Sequence, residues 1–193
     1  DRMLKDSERL TEKHFKDLFK GLVSRTNADT RVLKDLGSLA GYKKPEDYEE
    51  VLLEIINGYP FASEISNIIK LSEGSISPQR FKEISYRYLN TEVRFSADTC
   101  LVLFKHAQAL GEPFTREEKR VFWDTFLGDF EKKNNISSLS AGELQVFLDE
   151  EVIDQGDIRL VLQNYIESYG PKPAEVTKMI NLGVTSQREF EII

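Results

Sequence analysis

The sequence predicts an all-α fold of stacked helix-turn-helix units, about ten short helices in all. Three observations predict it. Apolar residues recur at i, i+3, i+4 and i+7 through almost every segment, which is the pattern of a helix with one buried stripe. Capping residues open those stripes and glycines close them. No segment alternates over the length of a strand: Val93 to Phe95 is the only β-like fragment, and it is too short to build a sheet.

The elements follow in order. Phe15, Leu18, Phe19, Leu22 and Val23 form the first stripe, with Ser7 placed to cap it. Val32, Leu33, Leu36, Leu39 and Ala40 form the second, stopped by Gly41. Pro45 suits a first helical turn, where its missing N–H costs nothing, and leads into Tyr48, Val51, Leu52, Ile55 and Ile56 up to Asn57-Gly58. Ser63 opens Ile65, Ile68 and Ile69, stopped by Gly74. Ser77-Pro78 opens Phe81, Ile84, Tyr88 and Leu89.

The second half repeats this grammar. Ser96 opens a helix through Leu110, stopped by Gly111 and apolar on nearly all sides from Cys100 to Phe104, so it is expected to lie centrally. Thr115 with Glu118 and Ser140 with Glu143 have the spacing of capping boxes. The first precedes Val121, Phe122, Phe126, Leu127 and Phe130; the second precedes Leu144, Phe147 and Leu148. Asp157 is expected to start Ile158, Val161, Leu162, Tyr165, Ile166 and Tyr169, up to Gly170. Pro173 opens a last helix through Val176 and Ile180, closed by Gly183.

A chain of 193 residues fits one domain or two very small ones. No Gly/Ser linker or composition break divides it, so a single domain over 1–193 is expected. Within it, 1–41 reads as an N-terminal helical cap, 45–183 as helix-pair repeats and 184–193 as a C-terminal tail. The repeat reading rests on spacing. Pro45, Pro78 and Pro113 are 33 and 35 residues apart, and Gly41, Gly74 and Gly111 are 33 and 37 apart. A period near 34 with two helices per unit marks helix-pair repeats, which bury their faces only by stacking.

The net charge of −7 argues against nucleic-acid binding, whose affinity depends on neutralising phosphates. An RNA-binding alternative needs Arg80, Lys82, Arg87 and Arg94 on one face. The longest apolar run, Cys100 to Phe104, is far short of the roughly 20 residues of a membrane span. The single cysteine excludes an intrachain disulfide. In its apolar stretch, Cys100 reads as a buried hydrophobe rather than a nucleophile. His14 and His106 lack a histidine or cysteine at helical spacing, so no metal site and no cofactor are expected. No phosphate-cradling glycine motif and no nucleophile elbow is present. Glu49-Glu50 and Glu150-Glu151 are adjacent on helices and point apart, so they are not catalytic dyads. The expectation is a non-enzyme.

A degenerate helix-loop-helix of the EF-hand type is a further alternative. With Glu143 as twelfth loop position, Lys132 and Ile136 fall where calcium requires oxygen ligands, so a calcium-free interaction module is the form it takes. Asn135-Ile136-Ser137 matches a glycosylation sequon and reads as chance.

Gly156 to Pro173, with its Gly170-Pro171-Lys172-Pro173 exit, resembles the second helix of a pentatricopeptide repeat. Thr99 to Gly111 resembles a first helix, and Gly74 to Pro78 another exit. In size, repeat type and acidity the chain is similar to the pentatricopeptide-like subunits carried on the catalytic head of euglenozoan mitochondrial ATP synthases. That resemblance implies a non-catalytic assembly subunit that binds a larger complex, with the ATP synthase alpha subunit as partner, and a mitochondrial location. The chain starts at Asp1 with its first methionine at Met3, which fits either a removed targeting segment or a true start that lies upstream of Asp1. Trp123, one residue off its helix stripe, and Phe190, Ile192 and Ile193 of the tail are the expected partner-binding residues.

Overall fold

The computed structural model describes residues 11–25, 28–58, 61–72, 74–90, 96–132, 139–168 and 172–183. Among them are ten α-helices, one short 3-10 turn and no strand. The all-α expectation holds. The chain divides into two compact units, residues 1–91 and 92–193. No composition break in the sequence marks that division. Ser7, Val93 to Phe95, Gly170 and the tail 184–193 lie outside the described residues.

The first unit contains α1 (Glu12–Val23), α2 (Thr30–Leu39), α3 (Asp47–Asn57), α4 (Ala62–Ser72), α5 (Pro78–Arg87) and the 3-10 turn Tyr88–Asn90. Helix α1 packs on α2 and α4, α2 also meets α4, and α3 packs on α4 and α5. Their caps are local. Thr11 caps α1, its backbone N–H donating to His14 Nδ1 over 3.1 Å. The Asp29 carboxylate accepts from Arg31 N–H at α2, and Ser77 Oγ from Arg80 N–H at α5. Before α3, the Asp47 carboxylate accepts the N–H groups of Lys43 and Lys44. The first three devices satisfy donors that the first helical turn leaves unpaired, and the Asp47 bonds tie down the chain that enters α3.

The core of this unit joins Phe19 and Val23 of α1 to Leu33, Tyr48, Leu52, Ile56, Ile65, Ile68, Phe81 and Ile84. Phe19, Tyr42 and Tyr48 form a ring cluster with centroids 5.4–6.2 Å apart. Asn67, buried in α4, donates to the carbonyls of Val23 and Arg25, and Ser63 Oγ donates to that of Ser24. Helix α4 therefore supplies the partners that the last turn of α1 cannot find within itself. Sequence periodicity gives no sign of this role.

The second unit contains α6 (Ala97–Ala109), α7 (Arg116–Lys132), α8 (Ala141–Asp149), α9 (Gln155–Glu167) and α10 (Pro173–Gly183). Helix α6 packs on α7 and α8, α8 on α10, and α9 on α10. Two ring clusters fill the core. Phe104, Phe114 and Phe122 meet edge to face at 5.3–5.6 Å. Trp123, Phe126 and Phe147 lie 5.1–5.9 Å apart. Both expected capping boxes form, at Thr115/Glu118 and Ser140/Glu143. At α9 the cap is Asp154, and Asp157, expected to begin the helix, is its capping-box partner three residues on.

Three polar ties cross between helices here. Lys119 of α7 reaches the Glu150 carboxylate at 2.7 Å. Arg120 of α7 grips Asp157 of α9 with two hydrogen bonds of 2.7 Å. Glu175 of α10 accepts the N–H of Ala141, the first residue of α8, at 2.9 Å. Among the described residues no helix is long and apolar enough to cross a membrane.

The glycines that close the sequence stripes do so for a backbone reason. Gly41, Gly74 and Gly111 have φ of 96°, 81° and 86°, conformations costly for a residue with a Cβ. After Gly41 and Gly111 the next N–H returns to a carbonyl five residues back, Tyr42 to Gly37 and Glu112 to Ala107. Gly183 is different. It packs against Ile158, and a Cβ there would come within 2.9 Å of that side chain.

Candidate functional site

The first two helices each carry an apolar arc wider than the face they bury. On α1, Phe19 and Val23 are buried, but Leu18 is 53% exposed. On α2, Leu33 and Ala40 are buried, but Val32 is 45% and Leu39 53% exposed, with Leu36 between. The expectation that Leu18, Val32 and Leu39 belong to buried stripes is corrected. Periodicity finds the apolar arc, and neighbouring helices cover only part of it. Leu18 and Leu22 of α1 and Leu36 of α2 line one shallow groove of about 300 Å³, with Gly21 between the leucines and Asp17 and Arg25 at its edge. Single exposed apolar residues are ordinary, whereas a contiguous set marks a contact surface.

A second cleft of about 190 Å³ lies among α1, α3 and α4. Val23, Val51 and Ile55 give it apolar walls, and Lys20 pairs with Glu54 at its edge. Glu64, half-buried, also lines it. Burial pushes the Glu64 carboxyl above its ordinary value, and the hydrogen bond from Phe61 N–H opposes that with smaller effect. The cleft places one carboxylate near a lysine already paired with another acid.

The expected partner residues fare differently. Trp123 is 1% exposed and stacked among Phe126 and Phe147, so it is a core residue and not a partner anchor. The physical reason is that α7 is buried on two sides. Phe122 faces the Phe104 and Phe114 cluster while Trp123 faces Phe147, so a residue one step off the stripe still meets protein. Phe190, Ile192 and Ile193 lie outside the described residues.

Of the basic set, Arg80 is held by Glu49 at 2.7 Å and Glu83 at 3.0 Å, so its charge is compensated within the chain. Arg94 lies outside the described residues. Glu143 accepts the N–H and Oγ–H of Ser140, each at 2.9 Å, which commits its carboxylate to the helix cap rather than to a loop. Cys100 is buried, and burial drives its thiol well above the ordinary range. Among the described residues no three His, Cys, Asp or Glu side chains gather where they could hold a metal ion. No family model, no curated protein and no solved structure matches the chain.

Proposed function

We propose that the chain is a non-catalytic assembly subunit that docks on protein through the apolar face of α1 and α2. The observation that carries this reading is the exposure of Leu18 on the groove it lines with Leu22 and Leu36, together with that of Val32 and Leu39, which stand four residues before and three after Leu36 on α2. Covering these half-exposed side chains contributes about 1 kcal/mol each, enough to favour contact and too little to force it without further complementarity. The sequence resemblance to pentatricopeptide-like subunits makes the alpha subunit of a mitochondrial ATP synthase head the first larger partner to test. It also favours a mitochondrial location. An RNA-binding use is less favoured, because Arg80 already carries two acidic partners and the chain is acidic overall.

Native mass spectrometry of the gently purified endogenous protein tests the proposal. The expected result is co-migration with a larger protein complex, lost in a Leu18→Glu/Leu39→Glu variant whose helicity by circular dichroism is unchanged. Nuclease-sensitive co-purifying mass, or full assembly of the double variant, would overturn it.

A further inference from the structure

We infer that the cleft among α1, α3 and α4 binds a primary ammonium on a short apolar body, with Glu64 as the carboxylate that pairs with it. The cleft draws on other residues of α1 than the docking groove does, so this site stands independently of the docking reading.

Three charged residues line the cleft: Lys20, Glu54 and Glu64. Lys20 and Glu54 pair with each other, which leaves Glu64 as the net charge of the walls. Among the described residues Glu64 forms no ion pair. Its Oε2 accepts the N–H of Phe61 at 3.0 Å. A carboxylate has about four accepting positions, so the protein takes only a small part of its capacity. Burial raises the Glu64 carboxyl, and only the Phe61 N–H opposes that; no cation bears on it. A half-buried carboxylate left in this way gains from a cation that enters beside it.

Helix ends favour the same sign of charge. Lys20 and Val23 belong to the last turn of α1, and Glu54 and Ile55 to the last turn of α3. Two helix C-termini thus border the cleft, each with the negative end of its dipole. The N-terminus of α4 is already answered by Glu64 on the Phe61 N–H.

The walls decide what carries the charge. Val23, Val51 and Ile55 are apolar, and Gly58 adds no side chain. The volume of about 190 Å³ exceeds the roughly 150 Å³ that admits benzene, so a small hydrocarbon body fits. A bare calcium or magnesium ion needs several oxygen ligands and would leave these walls uncovered. A guanidinium fork needs both carboxylate oxygens, and Phe61 already holds one; an ammonium needs a single oxygen. The walls are also fixed in advance. Ser63 and Asn67 of α4 bond the carbonyls of Val23, Ser24 and Arg25 at the end of α1, so little ordering is left for a ligand to impose.

Methyl NMR of the full chain, titrated with n-butylammonium chloride, tests this. Saturable shifts of the Val51 and Ile55 methyl groups are expected. n-Butanol, with the same body and no charge, should bind about tenfold more weakly, the scale of one charge-assisted hydrogen bond, and butyrate should not bind. This series on the wild-type chain decides the matter without a variant. Glu64→Gln keeps an acceptor for the Phe61 N–H and should bring n-butylammonium down to the affinity of n-butanol. Absence of saturable shifts, n-butylammonium binding no tighter than n-butanol, or undiminished binding to Glu64→Gln each overturns the inference. Nα-acetyl-lysine methylamide separates the two sources of such an ammonium. Binding equal to that of n-butylammonium supports a lysine side chain reaching in from a partner; binding of n-butylammonium alone supports a free amine.

Discussion

At residue scale, the informative position is Glu151. The turn after α8 repeats the geometry that follows α2 and α6, with Val152 N–H returning to the carbonyl of Phe147. Where those turns place Gly41 and Gly111, this one places a glutamate at φ 56°. A side chain in the left-handed region costs about 1–2 kcal/mol, because Cβ crowds the following carbonyl. Glu151→Gly should therefore stabilise the protein by about 0.5–1 kcal/mol, after the extra freedom of glycine in the unfolded chain is subtracted. A rise in denaturation midpoint with unchanged slope is the expected result. The neighbouring Lys119–Glu150 pair does not involve the Glu151 side chain and is left in place. The sequence makes the glycine turns legible, since few residues but glycine tolerate that backbone. It hides this one, since glutamate carries no turn signal.

At element scale, the contact of α2 with α3 is set by the absence of a side chain. Gly37 lies inside α2, where alanine is the better helix former by about 1 kcal/mol. A Cβ there would collide with the Tyr48 hydroxyl and press on the Phe19 ring at 3.4 Å. Both rings are buried and locked in the cluster with Tyr42. Overpacking a filled core costs about 1–3 kcal/mol, so the clash outweighs the propensity gain. Gly37→Ala should lower the melting temperature by the equivalent of about 1 kcal/mol. A rise would show that Tyr48 moves aside freely. The same comparison explains what periodicity could and could not deliver for whole helices. Ten stripes were legible because a 3.6-residue repeat is a property of each segment alone. Their coverage was not, because it depends on which neighbours arrive. Thus α1 and α2 leave leucines uncovered, while α7, met on two sides, buries a tryptophan that its own pattern places off the stripe. Asn67 is the sharpest case: a polar residue in an apolar helix, legible only once the end of α1 is seen beside it.

At the scale of the whole molecule, the chain divides into two compact units, residues 1–91 and 92–193, each with its own core. A period near 34 follows from helix-plus-turn lengths near 17 as readily as from helix-pair repeats, so spacing alone does not separate the two. The second core is held in part by the Arg120–Asp157 fork linking α7 to α9. The Arg120 guanidinium holds the Asp157 carboxyl below its ordinary value, against a smaller opposing effect of burial. A depressed carboxyl contributes stability that is fully present above its unfolded value and lost as pH falls through its folded one. The contribution is therefore present at neutral pH and is lost progressively as pH falls below about 4. Asp157→Asn should cost about 1–2 kcal/mol at pH 7, the scale of a charge-assisted pair with one member well shielded. The gap between variant and wild type should close in acid. Trp123, buried in the same unit, reports the transition by its fluorescence. A gap that persists unchanged at pH 2 would assign the loss to the helix cap rather than to the ion pair.

Cys100 gives the second core a clock as well as a filler. It is the only thiol in the chain and is wholly enclosed within α6. An alkylating reagent can reach it only during moments when α6 parts from its neighbours, and no other sulfhydryl competes for the label. The rate of modification in excess reagent thus counts those openings directly. The sulfur that does no chemistry in the folded protein records how often that fold lets go.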